Sequence, residues 1–134
     1  MPPSRDTQPD GRAKRYPKLK AWQACHQLLL AVYRETAGWP PAELQGLAAQ
    51  ARRSAFSAAA RLAEGSGKGT AREFRRCLEV SLAALGELSY VLLVGRETGL
   101  LTPAAYGELE ALRDHASRLT WGLSRAVRSR ARGK

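Results

Sequence analysis

Few residues in this chain have the types and spacing that covalent chemistry needs. The histidines are His26 and His115, far apart in sequence. Cys25 precedes His26 directly, so on a helix their side chains diverge by about 100°, a poor nucleophile–base pair. Glu110 and Asp114 share a helical face at i, i+4, but no Glu-x-x-His pair repeats to build a two-metal site. His115 follows Asp114 directly and does not share a metal with it. Gly67-Lys68 in a glycine-rich loop resembles a phosphate-binding P-loop. That motif needs glycine where Leu62 stands, a hydroxyl residue where Gly69 stands, and a preceding strand. The chain is therefore expected to be no enzyme, with no catalytic residue, cofactor or metal ligand.

Arginine is the residue type left to carry function. Arg52 and Arg53 are adjacent, and Arg72, Arg75 and Arg76 fall at i, i+3, i+4 on one helical face. Lys68 lies in the glycine-rich loop, and Arg125, Arg128, Arg130 and Arg132 crowd the C-terminal end. These are the candidate nucleic-acid-binding residues, acting by phosphate neutralisation. No aromatic-rich platform for stacking single-stranded bases is evident. The competing reading is structural. Glu73 and Glu79 stand at helical spacing from Arg75 and Arg76, and Glu64 or Glu87 could pair with Arg52 and Arg53 between helices.

The net charge of +10 is placed unevenly. Residues 1–20 carry six Lys/Arg against Asp6 and Asp10, residues 118–134 carry six with no acid, and the middle is balanced. Basic arms on a neutral body suit a polyanion; the alternative is a solubilising tail. Two cysteines, Cys25 and Cys77, give neither a disulfide framework nor a metal pair, and read as small buried thiols. No secretory signal is visible. No run approaches the ~18 apolar residues of a membrane span, since Gly86, Glu87 and Ser89 interrupt Leu82 to Val94. A cytoplasmic, membrane-free setting is expected.

The elements that position these residues are helices. After a disordered basic leader, a first helix begins past Pro17, with Leu19, Trp22, His26, Leu29, Val32 and Tyr33 along one face. His26 beside that face is expected to be packed. Pro40 and Pro41 open a second helix, whose face runs Leu44, Leu47, Ala51, Ala55, Ala58 and Leu62. Gly65 is expected as its left-handed C′ residue. Thr70 and Glu73 form a capping box for a third helix buried along Phe74, Leu78, Ser81, Leu82, Leu85, Leu88 and Leu92, ending near Gly99. Thr102-Pro103 starts a fourth, with Tyr106, Leu109, Leu112, Ala116, Leu119, Leu123 and Val127 inward before it frays into the arginine-rich tail.

Four helices of about 20–28 residues with short connections predict an all-α, antiparallel up-down-up-down four-helix bundle with disordered basic termini. The expected division is 1–16 leader, 17–127 bundle and 128–134 basic tail. Leu28-Leu29-Leu30 and Val91-Leu92-Leu93-Val94 wrap too far round their helices for one core. Some of that apolar surface must face outward, which predicts a homo-oligomer.

From Leu19 to Val127 the chain resembles the bacterial four-helix bundle proteins encoded in intervening sequences of 23S rRNA genes, a family that includes accessory proteins of diversity-generating retroelements. The resemblance rests on L-K-A-W-Q-A-C-H-Q-L-L-L-A-V-Y from Leu19 to Tyr33 and the W-P-x-x-E-x-x-G-L-x-x-Q run from Trp39 to Gln50. Gln50-Ala51-Arg52-Arg53-Ser54-Ala55, Leu62-Ala63-Glu64-Gly65 and Glu73-Phe74 carry it further. Arg61 stands where relatives usually have Asn, and Ala83-Ala84 where they have Gly-Ser. The resemblance implies a homopentameric barrel and no known catalysis. Its retroelement members bind a reverse transcriptase and nucleic acid through basic surface. Two functions are therefore carried forward: an oligomeric adaptor binding RNA or DNA, with a reverse transcriptase or other protein as further partner, and a protein-only homo-oligomeric scaffold.

Overall fold

The computed structural model describes residues 14–67 and 69–132, the side chains of 131 and 132 excepted. Four helices make up most of it: α1 (Lys20–Thr36), α2 (Leu47–Ser66), α3 (Ala71–Glu97) and α4 (Pro103–Arg132). Single 3-10 turns span Tyr16–Lys18 and Pro41–Glu43. Among the described residues there is no strand. Each helix packs on the next, and α4 closes the ring against α1.

Side-chain contacts fix the sense of each pair. Ser54 bonds Glu87, Ser81 bonds the carbonyl of Ala58, and Gly65 lies under Phe74 and Cys77, so numbers rising on α2 meet numbers falling on α3. The α3–α4 pair repeats this, with Ser89 on Glu110 and Arg96 over the Tyr106 ring. At one end of the α1–α2 pair Arg52 bonds Thr36; at the other Leu19 and Ser66 line one cavity. The bundle runs up, down, up, down.

The core is built from long leucines set against short alanines. Leu28, Leu62, Leu78, Leu85, Leu88 and Leu92 are fully buried, each worth about 1.5–3 kcal/mol of transfer free energy. From α2 the core takes mainly Ala48, Ala51, Ala55, Ala58 and Ala59, whose small side chains let α3 approach closely. The hydroxyl of Ser81 uses that proximity, donating to the Ala58 carbonyl at 2.8 Å and satisfying a buried polar group. Thr36 and Thr120, also buried, donate to the carbonyls of Val32 and Ala116 in their own helices.

The structure moves several predicted features. Pro40 and Pro41 do not open α2: they cap and begin a 3-10 turn, and α2 starts at Leu47 with Gly46 as its N-cap. Leu44 therefore lies outside the helix and is exposed. On α1 the buried stripe is Ala21, Ala24, Cys25, Leu28 and Val32; Trp22, His26 and Leu29 sit half-buried on its flank. A bundle seam tolerates alanine and cysteine at the point of closest approach and pushes bulkier rings to the groove. His26 is indeed packed, stacked on Trp22 with ring centroids 4.8 Å apart.

Gly65 is not a left-handed cap. It lies inside α2, buried, where an added Cβ would meet the Cys77 Cβ at 2.7 Å and Phe74 at 2.8 Å. Helix–helix proximity, not turn geometry, demands glycine there. Gly99, at φ 82°, is the residue that ends a helix in the left-handed region. Thr70 and Thr102 cap α3 and α4, accepting from Glu73 N and Ala105 N at 3.1 Å each. The reciprocal half of the capping box, from Glu73 back to Thr70, does not form among the described residues. Nor does α4 fray at Val127, which is buried; the helix continues to Arg132, as good helix-forming arginines at a negative helix end favour.

By length and composition alone α3 could cross a membrane, with mean hydropathy 1.7 over its most apolar window. The interruptions at Gly86, Glu87 and Ser89, expected to rule out a span, do not make the helix too polar for one. In the bundle α3 is a core helix, packed on α2 and α4. Gly65 and Gly122 should respond in opposite ways to the same methyl group. Gly65→Ala forces α3 away and should destabilise by about 1–3 kcal/mol. At Gly122 an added Cβ meets nothing, so Gly122→Ala should stabilise the helix by up to ~1 kcal/mol. Urea unfolding of the two variants checks both signs.

Candidate nucleic-acid interface

Alternating helix direction brings four segments to one pole: the start of α1, the end of α2, the start of α3 and the end of α4. Each brings basic side chains. Lys14, Arg15, Lys18 and Lys20 surround the start of α1, Arg72, Arg75 and Arg76 open α3, and Arg125, Arg128 and Arg130 lie near the end of α4. Two positive and two negative helix ends meet here, so the macrodipoles cancel in pairs. Side chains therefore set the sign of the pole. Among the described residues Glu64, Glu73 and Glu79 are the acids nearest in sequence, and Arg61 bonds Glu64 at 2.8 Å.

The helix-face pairs of the competing reading do not form for Arg72, Arg75 and Arg76: none has an ion pair among the described residues, with Arg72 and Arg76 exposed and Arg75 half-buried. Exposed arginine and glutamate side chains lose rotamer entropy on pairing for little Coulomb gain in water. These arginines therefore remain available to an outside anion. Arg125, Arg128 and Arg130 join them at the same pole, although they lie about fifty residues later in the chain. Lys68 lies outside the described residues, as does the side chain of Arg132.

Arg52 and Arg53 belong elsewhere. They sit toward the opposite pole, and neither pairs with Glu64 or Glu87. Glu87 instead accepts from Gln50 Nε2 at 2.6 Å and Ser54 Oγ at 2.8 Å. Arg52 donates from Nε to Thr36 Oγ1 at 2.9 Å and lies 4.5 Å over the Tyr33 ring. That bond and the cation–π contact clamp α2 to the end of α1. Arg53 is exposed beside Phe56, with no ion pair among the described residues.

A cavity of about 670 Å³ opens in the basic pole, with Arg15 and Arg130 at its rim and Leu19, Phe74, Leu123 and Val127 among its walls. Sequence reading missed Arg15 as a site residue, because only the fold brings it to Arg130. It also missed an aromatic ladder: Tyr16 contacts Trp22, and Trp22 stacks on His26, each at 4.8 Å, with Lys14 5.8 Å over Tyr16. The i, i+4 spacing of Trp22 and His26 was the available signal.

The groups considered for catalysis are occupied structurally. Glu110 is held by Arg113 at 2.6 Å and by Ser89 at 3.3 Å. Arg118 bonds Asp114 and holds its carboxyl below the usual range. Among the described residues no three His, Cys, Asp or Glu side chains gather as metal ligands. Cys25 is fully buried, 3.9 Å from Thr120 Oγ1, and burial pushes its thiol up from 9.0 to about 11.

A family model for the 23S rRNA-intervening sequence protein matches residues 17–122. The chain belongs to that family. The match takes in α1, α2, α3 and most of α4, and stops before Arg125, Arg128 and Arg130, so the family region covers three of the four segments at the pole. The family description names no reaction. A search of the curated proteins returned no match.

The buried thiol gives a pH test of the core. Its folded pKa is raised, so its stabilising contribution is complete below about pH 9 and is lost as pH rises through 11. Above pH 9 the native protein should lose up to ~1.4 kcal/mol per pH unit through this group. Cys25→Ser should remove that component, seen by comparing urea midpoints of both proteins at pH 8 and pH 10.

Proposed function

We propose that this family member is a non-catalytic, oligomeric adaptor that binds nucleic acid through its basic pole. The observation that carries the reading is the convergence of Arg72, Arg75 and Arg76, without ion-pair partners among the described residues, with Arg125, Arg128 and Arg130 and the lysines before α1. An unneutralised cluster of this kind repels itself unless a polyanion or salt screens it. Phosphate neutralisation with counterion release supplies the affinity. RNA and DNA both offer that chemistry. Working in the cytoplasm suits a protein whose ligand is RNA or DNA there.

Exposed apolar side chains support the oligomeric part of this reading. Tyr33, Leu44 and Phe56 are exposed around the α1–α2 groove, and Leu82 and Trp121 line a groove between α3 and α4. In a ring of four helices these grooves are on opposite sides. Two different faces joined head to tail give a heterologous contact, the kind that closes into rings. A homopentamer, which the family resemblance implies, would set five basic poles side by side and raise avidity. The second reading, a protein-only scaffold, draws on these same exposed apolar side chains. In either case a reverse transcriptase or another protein is the heterologous partner proposed.

The adaptor reading is tested by titrating full-length protein against a labelled structured RNA and a duplex DNA from about 50 to about 300 mM salt. Log affinity should fall steeply with log salt. Replacing Arg72, Arg75 and Arg76 together by Gln should flatten the slope by about 2–3. Absence of binding to both nucleic acids at the lowest salt would leave the scaffold as the function. Trp121→Glu places a charge in the proposed contact and should shift the protein to monomer in sedimentation; an unchanged sedimentation coefficient would exclude this face from assembly.

A further inference from the structure

We infer that the cavity at the basic pole holds the phosphorylated terminal nucleotide of a nucleic-acid strand. The inference rests on the nucleic-acid reading above and assigns the cavity a role within it. At about 670 Å³ the cavity falls within the range of ordinary small-ligand sites, roughly 300–1,000 Å³. It is too small for a duplex and large enough for a single nucleotide.

Its chemistry is split as a nucleotide is split. Leu19, Phe74, Leu123 and Val127 give an apolar wall with one aromatic ring, suited to a base. Arg15 and Arg130 give two guanidiniums, and among the described residues neither has an ion pair and no carboxylate lines the cavity. Arginine recognises phosphate in a bidentate, directional way. A phosphate monoester carries about −1.5 to −2 at neutral pH, against −1 for an internal phosphodiester, so two arginines match a strand end better than its middle. The open face at Arg72 and Arg76 suits the following phosphodiesters. Gly69, where an added Cβ would meet nothing, leaves space beside the cavity for the strand to depart.

The terminal nucleotide of a strand and a free mononucleotide share this chemistry, and the test separates them. Fluorescence anisotropy would compare full-length protein binding to one oligonucleotide sequence with a 5′-phosphate, a 3′-phosphate or hydroxyls at both ends. One phosphorylated form should bind at least about fivefold tighter than the hydroxyl form. In Arg130→Gln the ratio should fall to about one; Arg76→Gln should weaken all three forms alike and keep the ratio. An unlabelled mononucleotide should compete only at far higher concentration if the strand end is the ligand, and at comparable concentration if the free nucleotide is. Equal affinity for the three forms, with a steep salt dependence intact, would overturn the terminal-nucleotide site and leave the adaptor function standing. Loss of all binding at low salt would overturn both.

Discussion

The close approach of α2 and α3 is the contact on which the rest of the bundle depends. Gly65 lets Cys77 and Phe74 lie against its Cα, Ala58 lets Ser81 reach its carbonyl, and Ser54 with Gln50 holds Glu87 at the far end. The three contacts succeed one another along the helices, so a shift in register would break all of them together. A buried serine hydroxyl without its acceptor costs about 1–3 kcal/mol, which makes this register specific as well as stable. With the α2–α3 hairpin fixed, α1 and α4 are added on its two sides by ordinary leucine and alanine packing.

Charge placement follows from that geometry. A bundle with alternating helix direction sends the start of its first helix and the end of its last to the pole where the α2–α3 hinge lies. This chain is basic at both ends and has three arginines just past the hinge, so one pole gathers positive charge while the body stays balanced. The opposite pole shows another use of arginine. There Arg52 is spent on Thr36 and Tyr33, while nearer the middle of α4 Arg113 is spent on Glu110. Arginines that look alike in sequence divide into those that close the fold and those without an ion-pair partner among the described residues.

The surface carries a second asymmetry. Helix-interior glycines at Gly86, Gly107 and Gly122 face open space, at a cost of up to ~1 kcal/mol each relative to alanine. They share α3 and α4 with the groove of Leu82 and Trp121. No contact among the described residues requires them. Together with the exposed aromatic side chains they leave two faces of the bundle less settled than its core.

Helix number, order and the N-caps of α3 and α4 were legible in the sequence, because they rest on local signals. Thr70 and Thr102 announce their helices through oxygens that reach only three residues ahead, and leucine spacing marks the buried side of α3 without reference to any partner. The family was legible too, in the run from Gln50 to Phe74. Where tertiary contact competes with local preference, the sequence pointed elsewhere. Gly65 has the composition of a cap and the surroundings of a packing site. Trp22 and Tyr33 have the hydrophobicity of core residues, but the seam had room only for Ala21, Cys25 and Leu28 beside them. The basic pole could not be read from a linear chain at all. Residue type fixed how much positive charge there is; only the alternating course of four helices decided that Arg15 and Arg130, at opposite ends of the sequence, would stand at the rim of one cavity.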